Sequence, residues 1–158
     1  MAKKFFNPAD APSAKLAELF ITTKDNRRYT MLNAKNFEAV ASVSLADVPR
    51  LGSMITGKKP NGMEIKISMT VYKCSPMFDN MIEEYKNTGV LPTFECQVTS
   101  EDGGSSIGKD TKTYYDCIID GDVLLSMFDA DGEFVEQEIE AYAMDYTSSD
   151  KYVEPEYM

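Results

Sequence analysis

The chain contains no histidine, and only three of its 158 residues are cysteines. Without histidine, no Ser-His-Asp triad, Cys–His pair or histidine-ligated zinc site can form. Cys74, Cys96 and Cys117 lie far apart and form no CxxC pair, which is typical of reduced, semi-buried thiols. Carboxylates are abundant, but none lies in a context that would raise its pKa. We therefore expect no catalytic residue, no metal site and no cofactor.

Long apolar runs are missing as well. The longest runs are far shorter than the roughly 20 residues that a membrane-spanning helix needs, so we expect no membrane span. The first six residues are basic but lack the apolar core and cleavage site of a signal peptide, which indicates synthesis in the cytosol. The length fits a single domain with a proper hydrophobic core.

Positive charge is scarce relative to negative charge: the net charge is −10 and the isoelectric point is near 4.5. Such a balance argues against a protein that grips phosphate backbones. Residues 1–100 carry 13 Lys/Arg against 10 Asp/Glu, whereas residues 101–158 carry 3 against 16. The two halves could dock head to tail in repeated copies of the chain. The alternative is solvated surface at both ends, which the charge pattern taken alone favours.

Apolar and polar residues alternate with period two in several segments, which predicts amphipathic β-strands. The alternation is clearest over 37–45 and 63–72. We also expect strands that end near Thr23 and begin at Tyr29, and further strands over 93–99, about 111–119 and about 133–145. The run from Asp129 to Gly132 is interpreted as a turn between two strands, not as a calcium loop.

A single helix is predicted over 75–88. Ser75 can cap its first turn, Pro76 suits the first helical position, and Gly89 can end it in the left-handed conformation. Four apolar side chains recur at helical spacing and are expected to pack on the core: Phe78, Met81, Ile82 and Tyr85.

Residues 47–62 are predicted to form a long loop, because glycine and proline recur throughout them. Long loops in compact domains usually have a function. This loop contains the basic residues Arg50, Lys58 and Lys59.

The last predicted strand has one strongly acidic face, formed by Glu136, Glu138 and Glu140. Three like charges at this spacing are tolerated only where water screens them. The face must therefore meet solvent, either on an outer surface or in a wet channel.

These elements predict a mainly β fold, a sandwich or barrel-like sheet covered by one helix, with open edges that neighbouring subunits could complete. We expect a flexible N-terminal arm over 1–14, one domain over 15–146 and a C-terminal tail over 147–158.

Residues 51–146 resemble the phage tail tube proteins found in contractile tails and defective prophages of Gram-positive bacteria. The similarity is carried by an ordered set of short motifs, none of them specific when taken singly. They include Gly52-Ser53-Met54-Ile55-Thr56-Gly57-Lys58-Lys59, Thr70-Val71-Tyr72-Lys73, Ser75-Pro76-Met77-Phe78, Leu91-Pro92-Thr93-Phe94, Ser105-Ser106-Ile107-Gly108, Tyr115-Asp116-Cys117 and Asp120-Gly121-Asp122-Val123-Leu124.

The resemblance implies a tail-tube fold whose sheet closes into a large barrel when six subunits form a ring. Rings would stack into a hollow tube inside a contractile sheath, with sheath, baseplate and tail terminator proteins as partners. DNA would pass through the lumen without specific binding, in a virion tail assembled in the bacterial cytoplasm. The 47–62 loop would reach the adjacent ring through Arg50, Gly52, Met54, Gly57, Lys58, Lys59 and Gly62.

Several alternatives stay open at this point. The chain could be a monomeric β-sandwich module that binds a ligand through its 47–62 and 101–110 loops, or an enzyme that uses carboxylates and a divalent metal. The acidic face could line the lumen or the outer surface. The parent particle could be a DNA-delivering phage or a headless, bacteriocin-like particle that punctures membranes.

Overall fold

A computed structural model describes residues 4–158, which form eight β-strands, one α-helix and a short 3-10 helix. The prediction of a mainly β fold with one helix is confirmed. In residues 4–158 no helix is long and apolar enough to cross a membrane. The strands are β1 (Ala17–Thr23), β2 (Arg28–Thr30), β3 (Ala34–Val48), β4 (Gly57–Tyr72), β5 (Phe94–Glu101), β6 (Lys109–Ile119), β7 (Glu136–Ala143) and β8 (Asp145–Asp150), and helix α1 is Met77–Thr88.

All strand pairs are antiparallel, in the order β2-β1-β5-β6-β7-β4-β3, with β8 beside β6. We call β2, β1, β5, β6 and β8 sheet I, and β7, β4 and β3 sheet II. Strand β6 joins the two, because its first part pairs with β5 and β8 while Ile118 and Ile119 pair with β7. It changes direction around Asp116, whose φ of +50° is one that L-residues rarely adopt.

The core lies between the two sheets and draws on both of them and on the helix. Sheet II contributes one face, because apolar and polar residues alternate along its strands as the sequence predicts. The buried side chains of this face are Ile65, Ile67, Met69 and Val71 of β4 and Ile139, Ala141 and Ala143 of β7.

Helix α1 begins two residues later than predicted. Pro76, predicted at the first helical position, occupies the N-cap position instead, and no side-chain hydrogen bond caps the helix there. The hydroxyl of Ser75, the predicted cap, lies before the N-cap and accepts the backbone N–H of Met77 at 3.4 Å. Gly89 ends the helix with φ +76° and donates its N–H to the carbonyl of Tyr85 at 2.8 Å. This is the left-handed ending that the sequence predicts.

The apolar stripe of α1 is shorter than predicted. Phe78 is 2% exposed and meets the ring of Phe94 edge to face, with 6.2 Å between centroids. Met81 is buried and Ile82 half-buried. Tyr85 is 52% exposed, so its predicted place in the core is wrong. It lies in the last turn, where every residue onward to the helix end is exposed.

The predicted loop over 47–62 is too long, because β3 extends to Val48 and β4 already begins at Gly57. Three of the residues that suggested a loop, Gly57, Pro60 and Gly62, are accommodated within β4, whereas Pro49 and Gly52 lie in the turn between β3 and β4. A register shift opposite Ser44 leaves one residue of β4 without a partner, and Gly62 there has φ +151°. Pro60 is tolerated because β4 has no strand on its other edge before Ile65.

The predicted C-terminal tail is also wrong in part, because its residues 147–150 belong to β8. Its sequence is polar and offers no apolar alternation that could indicate a strand. Backbone pairing with β6 holds it, from Tyr115 paired with Asp145 to Thr111 paired with Asp150. The strand predicted over about 133–145 is shorter than expected and lies at Glu136–Ala143.

The N-terminal arm is not free along its described length; residues 1–3 lie outside the described part. The carboxylate of Asp10 is buried and accepts hydrogen bonds from the Ser106 backbone N–H at 2.9 Å and hydroxyl at 2.7 Å. It also accepts the hydroxyl of Tyr157 at 2.7 Å. We call these three residues the terminal clasp, because they join both ends of the chain to one loop.

Replacing Phe78 by alanine should lower the free energy of unfolding by about 3–5 kcal/mol, because it removes a fully buried ring and leaves a cavity. Tyr85→Ala is the matched control on the same helix and should change it by no more than about 1 kcal/mol. Urea unfolding followed by circular dichroism measures both. Equal losses would contradict the described helix orientation.

The terminal clasp should open in acid. The pKa of the Asp10 carboxyl lies below its ordinary value, first because the Ser106 N–H donates to it and then because the hydroxyls of Tyr157 and Ser106 do. A lowered folded-state pKa means that the stabilisation is complete above about 3.9, the ordinary value for aspartate, and is lost as pH falls through the folded value. Amide exchange in residues 5–13 should therefore accelerate there.

The Asp10→Asn variant supplies the control for this pH dependence. It should show faster exchange in residues 5–13 already at neutral pH, and no further acid step from this site. An acid step of unchanged size in Asp10→Asn would show that another group controls the arm.

Candidate assembly surfaces

Sheet II has one face that no strand or helix of residues 4–158 covers, which we call the bare face, and residues 122–127 lie along its β7 side. Glu136, Glu138 and Glu140 all project from β7 onto it, each half-buried or exposed. Cross-strand neighbours partly offset their charge, since the Nζ of Lys35 lies 3.1 Å from Glu136 and that of Lys66 lies 3.7 Å from Glu140.

The bare face stays negative despite these pairs. Glu38 of β3 and Glu64 of β4 occupy the same side, because their register partners are the polar residues of that side. Five carboxylates therefore share the face with the two lysines named above. Residues 113–150 contain no lysine or arginine, so β7 and its flanking segments contribute no cation of their own to this face. Such a surface repels phosphates.

Both ends of sheet II have open backbone edges. Strand β3 pairs only with β4, so its other edge is free along Ala34–Val48 within the described chain. At the opposite end, the β6–β7 ladder stops where the N–H of Asp120 donates to the carbonyl of Glu140, at 2.9 Å. Open edges of this length are templates for pairing with another chain.

The β3–β4 hairpin projects beyond the rest of sheet II. Strand β4 pairs with β7 only from Ile65 to Tyr72, so residues 57–64 have β3 as their one partner. At about 3.3 Å per residue, this part extends roughly 25 Å past the sheet. Its exposed apolar residues are Val43, Leu45, Val48 and Met63 along the strands and Leu51, Met54 and Ile55 at the tip.

The tip has a defined shape. The guanidinium of Arg50 donates from Nε and Nη2 to the carbonyl of Ile55, at 3.1 and 3.0 Å. Gly52 takes φ +78°, which favours glycine. A side chain at Gly57 would place Cβ 3.1 Å from the carbonyl oxygen of Val48, closer than most Cβ contacts. The hairpin thus presents Leu51 and Met54 as fully exposed side chains on a fixed turn.

The basic residues of the predicted contact loop have different surroundings. Arg50 is engaged within the tip, and Lys58 forms a salt bridge with Asp47 across the hairpin. Lys59 forms no salt bridge with any residue of 4–158. Charge available for a neighbouring subunit is therefore concentrated on Lys59.

The predicted contact residues of the loop do not include Leu51 or Ile55, nor the exposed apolar residues of the strands. A usable signal was present. Several large apolar side chains stand among the turn residues of 47–62, where a loop of a monomeric protein could not bury them.

The buried thiols are not reactive groups. Cys96 and Cys117 are both fully buried. The pKa of the Cys96 thiol is raised well above its ordinary value, first by a hydrogen bond with Cys117 and then by burial. The thiol therefore stays protonated and unsuited to nucleophilic attack.

Comparisons of the sequence and of the structure with known proteins point to a single family. Residues 4–150 match the model of a family described as "Phage tail tube protein". The phage-like element PBSX protein XkdM of Bacillus subtilis (strain 168) is 29% identical over 127 residues, 80% of this chain and 82% of that protein. YqbM of the same strain is 28% identical over the same shares.

Solved structures share the fold. The chain matches the structure "PVC sheath/tube terminator in extended state" of an extracellular contractile injection system with a TM-score of 0.64 at 12% identity, over 94% of this chain and 100% of that one. The anti-feeding prophage baseplate structure matches with a TM-score of 0.57 at 9% identity, over 94% and 97%. Because the family model covers nearly the whole sequence, this chain belongs to the phage tail tube protein family, whose members are structural components of virion tails.

Proposed function

We propose that six copies of this chain close into a ring, that rings stack into a hollow tube inside a contractile sheath, and that the bare face lines the lumen. The observation that carries the proposal is the form of sheet II, which has two open edges and one uncovered acidic face. Rings of six are the arrangement that the tail-tube resemblance implies. Lateral pairing of open edges closes a sheet into a barrel and removes the edges.

The volume of the layers that cover sheet II decides which of its faces points toward the lumen. Sheet I packs on one face of sheet II, and α1 adds to the same core. When copies of sheet II close into a barrel, these covering layers must lie outside it, because the interior has less room than the exterior. The bare face with Glu136, Glu138 and Glu140 is then the lumen surface. A negative lumen repels phosphates, so DNA passes without being held.

The projecting hairpin supplies the contact between rings. Strands of a barrel run at an angle to its axis, so a segment that extends past the sheet reaches beyond its own ring. Burial of Leu51, Met54 and Ile55 against the next ring removes apolar surface that the isolated chain leaves in water. Gly52, Gly57 and Gly62 shape the hairpin, Arg50 and Lys58 stabilise it from within, and Lys59 is free to set register with an acidic neighbour.

The outer surface of such a tube faces the sheath protein, and its two ends meet the baseplate and the tail terminator. The match to a sheath/tube terminator structure and to a baseplate structure supports these partners. The proposal holds for a DNA-delivering phage and for a headless particle, because both need a rigid hollow tube. The family match favours this function over a monomeric ligand-binding module.

Replacing Leu51 and Met54 together by serine should impair stacking and leave the isolated chain folded. Both side chains are fully exposed, so the monomer loses no packing. Each buried leucine or methionine contributes about 1.5–3 kcal/mol, so the critical concentration for tube formation should rise by about a hundredfold or more. Light scattering against protein concentration measures it, and negative-stain electron microscopy identifies the products.

The matched control is Leu32→Ser, since Leu32 is as exposed but lies between β2 and β3, away from the hairpin. It should assemble as the wild type does. Lys59→Glu tests the charge separately and should slow or misregister stacking most strongly at low salt. Normal assembly of the Leu51/Met54 variant would refute the hairpin contact.

A further inference from the structure

The segment between β6 and β7, residues 120–135, has no helix or strand although it is 16 residues long. Connections of this length inside a compact domain are uncommon and usually functional. The segment is acidic and also exposes large apolar side chains, among them Leu125, Met127 and Phe128, the last of these 95% exposed. Solvated loops have no need of such residues, which indicates that the segment has another packed state.

This segment lies beside the open edge of β7 without pairing with it. Residues 122–127 and the β7 residues Glu136, Gln137, Glu138 and Glu140 line one groove. Backbone pairing stops at the bond from Asp120 to Glu140. The side-chain oxygen of Gln137 is buried there with no hydrogen-bond partner in the described structure. An unpaired buried acceptor is unfavourable.

The existing register extends naturally into the segment. Ile118 pairs with Tyr142 and Ile119 with Ala141, so continued pairing puts Val123 opposite Gln137 and Leu125 opposite Val135. Val123, Leu125 and Met127 would then share the core-facing side of sheet II, an alternation typical of a strand with one buried face. Val123 already packs against the core in the isolated chain.

A turn already lies between the segment and β7. The N–H of Gly132 donates to the carbonyl of Asp129 at 3.2 Å, and that of Asp131 to the Asp129 side chain at 3.0 Å. A two-residue hairpin closed by this turn pairs Asp129 with Gly132, one residue out of the register that continues from β6, so closure in that register requires a one-residue bulge. One feature opposes closure, because the same register places Asp122 opposite Glu138, and like charges directly opposite each other are destabilising. Hydrogen bonds to a further strand on its other edge would offset this cost.

We propose that residues 121–127 become a strand on assembly, pairing on one edge with β7 and on the other with β3 of a second copy of this chain. The second edge follows from the first: because the N–H of Asp120 points to β7, those of 121, 123, 125 and 127 point away from it. The free edge of β3, Ala34–Val48, lies at the opposite end of the same sheet and is the edge that a closed ring brings there. This inference rests on the proposed ring.

Hydrogen exchange read by mass spectrometry tests the proposal on the wild-type chain. Peptides covering 121–127 should exchange fast in the soluble chain and slow by about a hundredfold or more in assembled tubes, because ladder hydrogen bonds protect amides. Peptides of β4 and β6 are protected in both states and serve as references. If tubes form but 121–127 exchange as fast as before, this inference fails and the proposed ring stands. If no ring or tube forms, the proposed function itself fails.

Two proline variants test the outward edge. Leu125→Pro removes an N–H that should bond to the second copy, and no described hydrogen bond of the isolated chain uses that group. The soluble chain should keep its melting temperature, while ring formation is lost. Ala130→Pro is the control, because proline suits the second position of the Asp129–Gly132 turn. Normal assembly of Leu125→Pro would overturn the proposal, and the exchange measurement decides the case if that variant does not fold.

Discussion

Unpaired backbone at the two ends of sheet II is the constraint on which the rest of the structure depends. Each peptide N–H and C=O on those edges needs a partner, and within residues 4–158 the free edge of β3 and much of the second edge of β7 have none. Natural sheets protect such edges with charges, bulges or covering segments, or they remove them by closure. Here β3 is long and mostly uncharged, which suits closure with another copy.

The two faces of sheet II divide the remaining requirements. The core-facing side of sheet II is apolar and belongs to a core shared with sheet I and α1. Each copy therefore has its own core and can fold before it assembles. The bare face is acidic because it meets water throughout. The exposed apolar side chains of the projecting hairpin and of residues 120–135 lie at the two places where the proposed neighbours would cover them.

Much of this fold could be predicted from the sequence, because burial on one face leaves a period-two pattern. The strands β4 and β7 and the acidic row Glu136, Glu138 and Glu140 follow from it. Strand β8 and residues 57–62 could not be found that way, because backbone pairing alone holds them and leaves no apolar pattern. The terminal clasp rests on one carboxylate, Asp10, whose partners are distant in sequence. Surfaces that only a neighbouring copy buries look like irregular loops in a single chain.

Electron cryomicroscopy of the assembled tube, at a resolution that traces the main chain, tests the central claim most directly. The account predicts rings in which sheet II closes through β3 of each copy, with Glu136, Glu138 and Glu140 on the wall of the lumen. A tube whose lumen is lined by sheet I or by α1, with these three glutamates on the outer surface, would contradict it.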